Sequence, residues 1–226
     1  MRVVIVGGGR TEDEILKDQC LYEGAKNAYV IAADAGTAPL LQNNIIPDYV
    51  VGDFDSISDK SQIDRLEGMG TEVRRLNPVK DDTDMEAALT RAYELLEKDQ
   101  GDAGLEFQIT ILGATGTRLD HVLGNMSLLK QAYDRSYRAC LIDANNRIRL
   151  MGPGDRLDIK RSSQYGKYIS VIPFYESINI SMQGFFYPLD HFDMTHDNTL
   201  GISNQLTEDG SISLHKGYAL VVESLD

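Results

Sequence analysis

The chain has 226 residues, enough for one large domain or two small ones with ample core. Its 22 Lys and Arg stand against 35 Asp and Glu, and the net charge of −13 argues against nucleic acid or an anionic membrane surface as partner. Met1-Arg2 leads directly into an apolar strand with no room for a signal peptide, and no apolar stretch approaches membrane-spanning length, so a soluble, cytoplasmic protein is expected.

Strand patterns at 3–6, 29–33, 49–51, 71–76, 107–112 and 138–142 alternate with helical patterns near 13–26, 36–44, 59–69, 84–98 and 118–133. That alternation predicts a mostly parallel, Rossmann-like sheet with helices on both faces over residues 1–143. After Ala144-Asn145-Asn146 the texture changes. Short strands at 147–151, 156–159, 168–173, 177–182, 211–214 and 218–223, separated by turn signals such as Gly152-Pro153-Gly154-Asp155, predict an all-β sandwich over residues 144–226. Cys20 falls in a helical pattern and Cys140 in a strand, so both are expected to be reduced and structural.

The residues that carry chemistry cluster after the strands of the first part. Tyr49-Val50-Val51 reads as a buried strand and runs into Gly52-Asp53-Phe54-Asp55-Ser56. If the strand continues past Gly52, Asp53 and Asp55 project to one side and would share a cation, of which Mg²⁺ is the best match. An acidic turn is the alternative. Lys80-Asp81-Asp82-Thr83-Asp84 precedes a helix whose apolar stripe is Met85, Ala88, Leu89, Ala92, Leu95 and Leu96, with Thr83 and Glu86 as a capping box. Capping accounts for one or two of these acids and leaves the others for function.

Gly113-Ala114-Thr115-Gly116-Thr117 links a strand to a helix whose core face is expected to be Leu119, Val122, Leu123, Met126 and Leu129. Such a loop at a helix N-terminus forms an anion site, to which Arg118 adds a bidentate fork. Thr117 and Asp120 again suit a capping box, which is the structural alternative for Asp120. His121 and Asn125 share a helix face and are either surface residues or part of the chemistry. Asp34, Asp53 and the Gly113 loop all follow strand ends, so they are expected on the carboxyl edge where such sheets bind ligands. His191 and His196 lie in a segment, 190–199, that reads as a loop; both are expected to be solvated.

In order and separation, Asp34 in Ala33-Asp34-Ala35-Gly36, Gly52-Asp53-Phe54-Asp55-Ser56, Lys80-Asp81-Asp82-Thr83-Asp84, Arg118-Leu119-Asp120-His121 with Asn125, and Gly201-Ile202-Ser203-Asn204 resemble the thiamine pyrophosphokinase family. The resemblance runs from about Val3 to Val222. Two departures stand out: Ala35 replaces a glycine, and Tyr187 stands where the family often has tryptophan. The resemblance implies transfer of the pyrophosphoryl group of ATP to the hydroxyethyl group of thiamine, giving thiamine diphosphate and AMP. It implies Mg²⁺ held by Asp53, Asp55, Asp81 and Asp84. ATP phosphates would be held by Gly113, Thr115, Gly116, Arg118 and Lys80, with Thr83, His121 and Asn125 in the same group. Asp120 would orient the attacking hydroxyl, and Asp34, Tyr187, Ser203 and Asn204 would meet thiamine. It further implies a homodimer with the site near the subunit interface, one ring of Phe185-Phe186-Tyr187 stacking on thiamine from the neighbouring subunit. The alternatives are another Mg²⁺-dependent phosphotransferase or phosphohydrolase, and a non-catalytic sensor of thiamine and nucleotide.

Overall fold

The computed structural model describes residues 1–22, 25–55, 61–77, 83–99, 105–197 and 199–226. The chain divides into two compact units, Met1–Ala144 and Asn145–Asp226. Unit 1 runs β1 (Val3–Val6), α1 (Asp13–Cys20), a small hairpin of β2 (Leu21–Tyr22) and β3 (Ala25–Lys26), β4 (Tyr29–Ala33), α2 (Thr37–Gln42) and β5 (Tyr49–Gly52). It continues with α3 (Ser61–Gly68), β6 (Glu72–Arg75), α4 (Asp84–Leu96), β7 (Ile109–Leu112), α5 (Leu119–Asp134) and β8 (Ala139–Ile142).

Its strands pair in parallel in the order β6-β5-β4-β1-β7-β8. The apolar runs Val3–Val6, Tyr49–Gly52 and Ile109–Leu112 are buried throughout, as strands covered on both faces must be. β6 pairs with β5 alone in the described sheet and carries Glu72, Arg74 and Arg75, charges that protect an edge from further pairing. From β1 the chain winds one way through β4, β5 and β6, then returns to the other side of β1 with β7 and β8. The reversal lies between β1 and β7. A sheet of this kind opens a crevice at that point, beyond the carboxyl ends of its strands.

Local signals survive well in α4. Thr83 accepts from the Glu86 backbone while the Glu86 side chain accepts from the Thr83 backbone, the expected capping box. Ala88, Leu89, Ala92 and Leu96 are buried along one stripe. Two other expectations change. The helix expected over 13–26 stops at Cys20, because Leu21 turns extended and its strand pairs with β3. In α5, Met126 and Leu129 are buried as expected, but Leu119 and Leu123 are 68% and 61% exposed. The first two turns of α5 therefore stand clear of the unit 1 core, which begins at Met126.

Unit 2 comprises β9 (Asn146–Met151), β10 (Arg156–Ile159), β11 (Tyr168–Phe185), β12 (Leu189–Met194) and β13 (Leu206–Ser224). Pairs of short strands expected at 168–173 and 177–182, and at 211–214 and 218–223, are continuous in β11 and β13. The turn signals between them are bends inside long strands: Tyr175 and Gly217 take positive φ of 71° and 76°, and the β11–β13 register shifts between Phe174 and Asn179. The first half of β11 lies against the last part of β13, which also pairs with β9; the second half lies against the first part of β13 and β12. Both halves feed one core, from Ile169 and Val171 to Ile180, Met182 and Phe185.

Behind this core, Glu223 is fully buried. Its carboxylate accepts from Arg147 Nε and a terminal Arg147 nitrogen at 2.9 Å each, from Arg149 at 3.0 Å and from the Tyr165 backbone at 2.9 Å. Every lone-pair direction of the buried anion is thereby used. Glu223→Ala should cost about 3–5 kcal/mol, since it strands two largely buried guanidinium groups. A lower urea midpoint at unchanged m-value is the expected observation.

Candidate active site

Three glycine segments meet at the carboxyl edge of unit 1. Gly36 lies so close to β1 that a Cβ there would collide with the Val6 carbonyl oxygen. A Cβ on Gly9 would collide with the carbonyl oxygens of Gly113 and Thr115, and one on Gly113, whose φ is +62°, with that of Gly7. Gly7 N–H donates to Leu112 O and Gly9 N–H to Gly113 O, both at 2.9 Å. Gly7-Gly8-Gly9 and Gly113 to Thr117 are therefore one interlocked backbone surface at the strand reversal. Sequence reasoning found the second loop and missed the first; three glycines directly after an apolar strand were the available signal.

The second loop is fastened further. Asn125 Nδ2 donates to Ala114 O at 2.7 Å, and the Thr115 hydroxyl donates to the Asp143 carboxylate at 2.7 Å. Asn125 was expected beside phosphate; its amide instead holds the loop. Asp143, just past β8, had no local signature. Because Thr115 donates its proton to Asp143, its hydroxyl offers an anion lone pairs rather than a donor.

Beside this surface, Asp34 follows β4 with φ of +44°, and its carbonyl accepts from the Thr37 hydroxyl at 2.8 Å. An added Cβ on Gly52 would sit 3.1 Å from Asp34 Cα and Cβ, so Asp34 and the Gly52-Asp53 step are in direct contact. The strand does not continue past Gly52. Phe54 takes φ of +59° and buries its ring, and Asp55 N–H donates to Asp53 Oδ1 at 3.1 Å. The side-by-side projection expected from strand alternation is replaced by an Asx-type turn, in which Asp53 is half-buried and Asp55 exposed. Met85, next to Asp84 on the first turn of α4, would have its sulfur 2.8 Å from a Cβ on Gly7, which brings that helix start to the same edge.

Lys80, Asp81 and Asp82 lie outside the described residues. Among the described residues no three His, Cys, Asp or Glu side chains form a metal cage. The donor set is still hard carboxylate oxygen, in a few groups at one sheet edge, and Mg²⁺ is commonly bound by one or two carboxylates with substrate phosphates completing its shell. The residues present fit that ion.

At the start of α5 the expected Thr117–Asp120 capping box is absent. Arg118 occupies the N-cap without a side-chain cap bond, and its Nε and a terminal nitrogen donate to the two Asp120 oxygens at 3.3 and 2.6 Å. A charge-assisted fork outcompetes a neutral hydroxyl contact. The fork holds the Asp120 carboxyl below its ordinary range and raises the Arg118 guanidinium. His121 is exposed, with Nε2 4.0 Å from Asp120.

In unit 2, Phe185 is buried, while Phe186 and Tyr187 are 65% and 58% exposed with ring centroids 4.9 Å apart, edge to face. Ser203 is exposed at φ of +58°, its N–H donating to the Ser170 hydroxyl at 2.9 Å. Asn204 is buried beneath them. His191 lies on β12 rather than in a loop, and its ring stacks on His215 at 4.3 Å; His196 is exposed.

Residues 22–141 match the family model described as "Thiamin pyrophosphokinase, catalytic domain", and residues 155–219 the one described as "Thiamin pyrophosphokinase, vitamin B1 binding domain". The chain is 39% identical over 198 residues to the thiamine pyrophosphokinase of Bacillus subtilis (strain 168), covering 87% of each. The crystal structure of thiamine pyrophosphokinase from Bacillus subtilis matches with a TM-score of 0.83 at 34% identity, over 100% of both chains. That of thiamin pyrophosphokinase from Candida albicans, at 19% identity, shares the fold with a TM-score of 0.77, over 100% of this chain and 90% of the other.

The Arg118–Asp120 fork makes a titration testable. A depressed carboxyl pKa means that the pair is intact above the ordinary value of 3.8 and opens only as pH falls through the lower, folded-state value. A carbon-detected NMR titration should place Asp120 below 3.8, and Arg118→Ala should return it to the ordinary range.

Proposed function

Because this chain belongs to the thiamine pyrophosphokinase family, we propose that it works as an ATP:thiamine diphosphotransferase, with ATP at the carboxyl edge of unit 1 and an exposed ring of unit 2 stacking on thiamine from the neighbouring subunit. It is an enzyme that makes thiamine diphosphate and AMP from thiamine and ATP. The observation that carries the site assignment is the interlocked glycine surface, with Asp34 and Asp53 beside it at the strand reversal.

ATP phosphates lie on the backbone N–H groups of the Gly113 to Thr117 loop. Arg118 leaves Asp120 to pair with them; both groups are exposed, so the exchange costs little. Once Arg118 has moved, the Asp120 carboxylate is open to accept the proton of a hydroxyl, which suits it to orienting the attacking oxygen. Asp53, Asp55 and Asp84 belong to the same edge, and Asp81 and Lys80, which lie outside the described residues, are assigned to the same charge-compensating group. Asp53, Asp55, Asp81 and Asp84 would hold Mg²⁺, which when bound would neutralise phosphate charge. Thr83, Gly116, His121 and Asn125 complete the phosphate side, Asn125 by holding the loop. The reaction needs positioning and charge compensation more than covalent help. Asp34, Tyr187 and Ser203 are assigned to thiamine, the Tyr187 ring reaching it from the neighbouring subunit.

We read residues 1–143 as the ATP- and Mg²⁺-binding catalytic domain, Rossmann-like, and residues 144–226 as the thiamine-binding and dimerisation domain. The shared core of the two halves of β11 and β13 supports a sandwich for the latter. A homodimer is supported by exposed apolar groups, Phe186, Tyr187, Leu200 and Ile202 in unit 2 and Leu119 and Leu123 in unit 1. Among the described residues no helix is long and apolar enough to cross a membrane, which is compatible with a cytoplasmic location.

Purified protein should release AMP from Mg·ATP only when thiamine is added, matched one for one by thiamine diphosphate. Thiamine-independent release of phosphate would replace this reading with a hydrolase, and saturable binding without turnover with a sensor. Asp53→Asn keeps the oxygen that accepts from Asp55 N–H, so the turn and fold should persist. Turnover at fixed Mg·ATP should fall about tenfold or more, as loss of one charge-assisted contact predicts. Unchanged turnover would remove Asp53 from the site.

A further inference from the structure

We propose that Asn204 is a positioning residue for Tyr187, fixing the direction of the ring that receives thiamine while making no contact with thiamine itself; this rests on the assignment of Tyr187 given above. The Asn204 side chain is 3% exposed, and its amide is already committed. Its Oδ1 accepts from Tyr187 N–H at 3.1 Å and from Gln205 N–H at 2.9 Å, and its Nδ2 donates to Tyr187 O at 2.8 Å. The partners dictate the amide orientation, since two N–H donors must face oxygen and one carbonyl must face nitrogen. Both acceptor positions of the amide are filled, and one donor position is used. An asparagine so spent and so buried has little left with which to read an aminopyrimidine.

It does hold the backbone of Tyr187 at both ends. With its N–H and its C=O each tied to one rigid amide, Tyr187 has little freedom in φ or ψ, and Pro188 after it restricts the same residue further. The Cα–Cβ direction of a half-exposed ring follows from those two dihedrals. Asn204 is itself anchored: its N–H donates to Ile169 O at 3.1 Å and its C=O accepts from Ile169 N–H at 2.8 Å. Gly201 O likewise accepts from Val171 N–H at 2.8 Å, and Phe186 N–H donates to Gln205 O at 2.9 Å. The ring is thus referred through Asn204 to β11. Phe186, equally exposed, has no such amide on both sides of its peptide unit among the described hydrogen bonds. The clamp therefore singles out Tyr187 from its neighbour.

The chain has no tryptophan, so Tyr187→Trp places a single fluorophore at this position. Two measurements on the folded protein decide the proposal. Without ligand, adding Asn204→Asp or Asn204→Ala to Tyr187→Trp should lower the indole anisotropy while far-UV circular dichroism is unchanged. Asn204→Asp keeps the oxygen that accepts from Tyr187 N–H and replaces the donor to Tyr187 O by a repelling oxygen, whereas Asn204→Ala removes both contacts without adding charge, so whichever of the two folds serves. With thiamine, indole quenching in Tyr187→Trp should be saturable, and either Asn204 change should raise the half-saturating concentration about tenfold. In a Tyr187→Ala background the same Asn204→Asp change should add no further loss of thiamine affinity, because the two residues act as one unit. Equal anisotropy with and without Asn204 would overturn the proposal. So would an additional loss in the Tyr187→Ala background, which would mean direct contact with thiamine. Absence of any quenching in Tyr187→Trp would overturn the assignment of Tyr187 itself, and the proposal with it.

Discussion

At the carboxyl end of the parallel sheet three backbone segments approach more closely than a methyl group permits. Gly36 against Val6, Gly9 against Gly113 and Thr115, and Gly113 against Gly7 leave no volume for a side chain. This steric constraint binds the ends of β1 and β7 and the turn after β4 into one surface at the strand reversal. Asp34 and Asp53 reach their places because they follow strands that end there, and α4 arrives with Met85 over Gly7. A surface built from backbone offers N–H groups as anion donors, which is what the proposed phosphate role of this edge draws on.

The molecule uses the same chemical pair in two ways, separated by burial. Glu223 with Arg147 and Arg149 is closed from water and saturated with donors, so separating its members is costly, and it serves to join β9 to β13. Arg118 with Asp120 is open to water, where screening makes the pair cheap to exchange. An exposed pair of this kind can exchange one anion for another at little cost, as the proposed phosphate role of Arg118 requires. The start of α5, with Leu119 and Leu123 outside the core, is likewise open to water.

In unit 2 the long strands β11 and β13 bend where Tyr175 and Gly217 adopt positive φ, and both halves of each contribute to one core. Segment 201–205 then runs along the first half of β11 and returns to the end of the second through Asn204. The core thereby reaches the backbone of exposed Tyr187 by hydrogen bonds through Asn204 as well as along the chain from Phe185. The proposed role of Tyr187 gains from such preorganisation, since an aromatic side chain that is already oriented loses little entropy on contact.

Much of this was legible in the sequence because it is local. Apolar runs and helical stripes marked the alternating elements, Thr83 and Glu86 announced the start of α4, and aspartates directly after apolar strands pointed to one sheet edge. What failed depended on partners remote in sequence. Helix 13–26 was cut at Cys20 by a competing hairpin, and the φ of Phe54 turned Asp53 and Asp55 out of strand alternation once its ring found the core. Thr115 found Asp143 28 residues away, Asn204 found Tyr187 17 away, and Arg147 found Glu223 76 away. The sequence by itself determined the alternating elements of unit 1, their order and the family to which the motifs belong, because periodic burial and backbone hydrogen bonding act over a few residues. Which side chains are spent on holding the site and which are left for ligands was decided only in the tertiary structure, because a hydrogen-bond donor has no preferred partner until packing brings one within 3 Å or so.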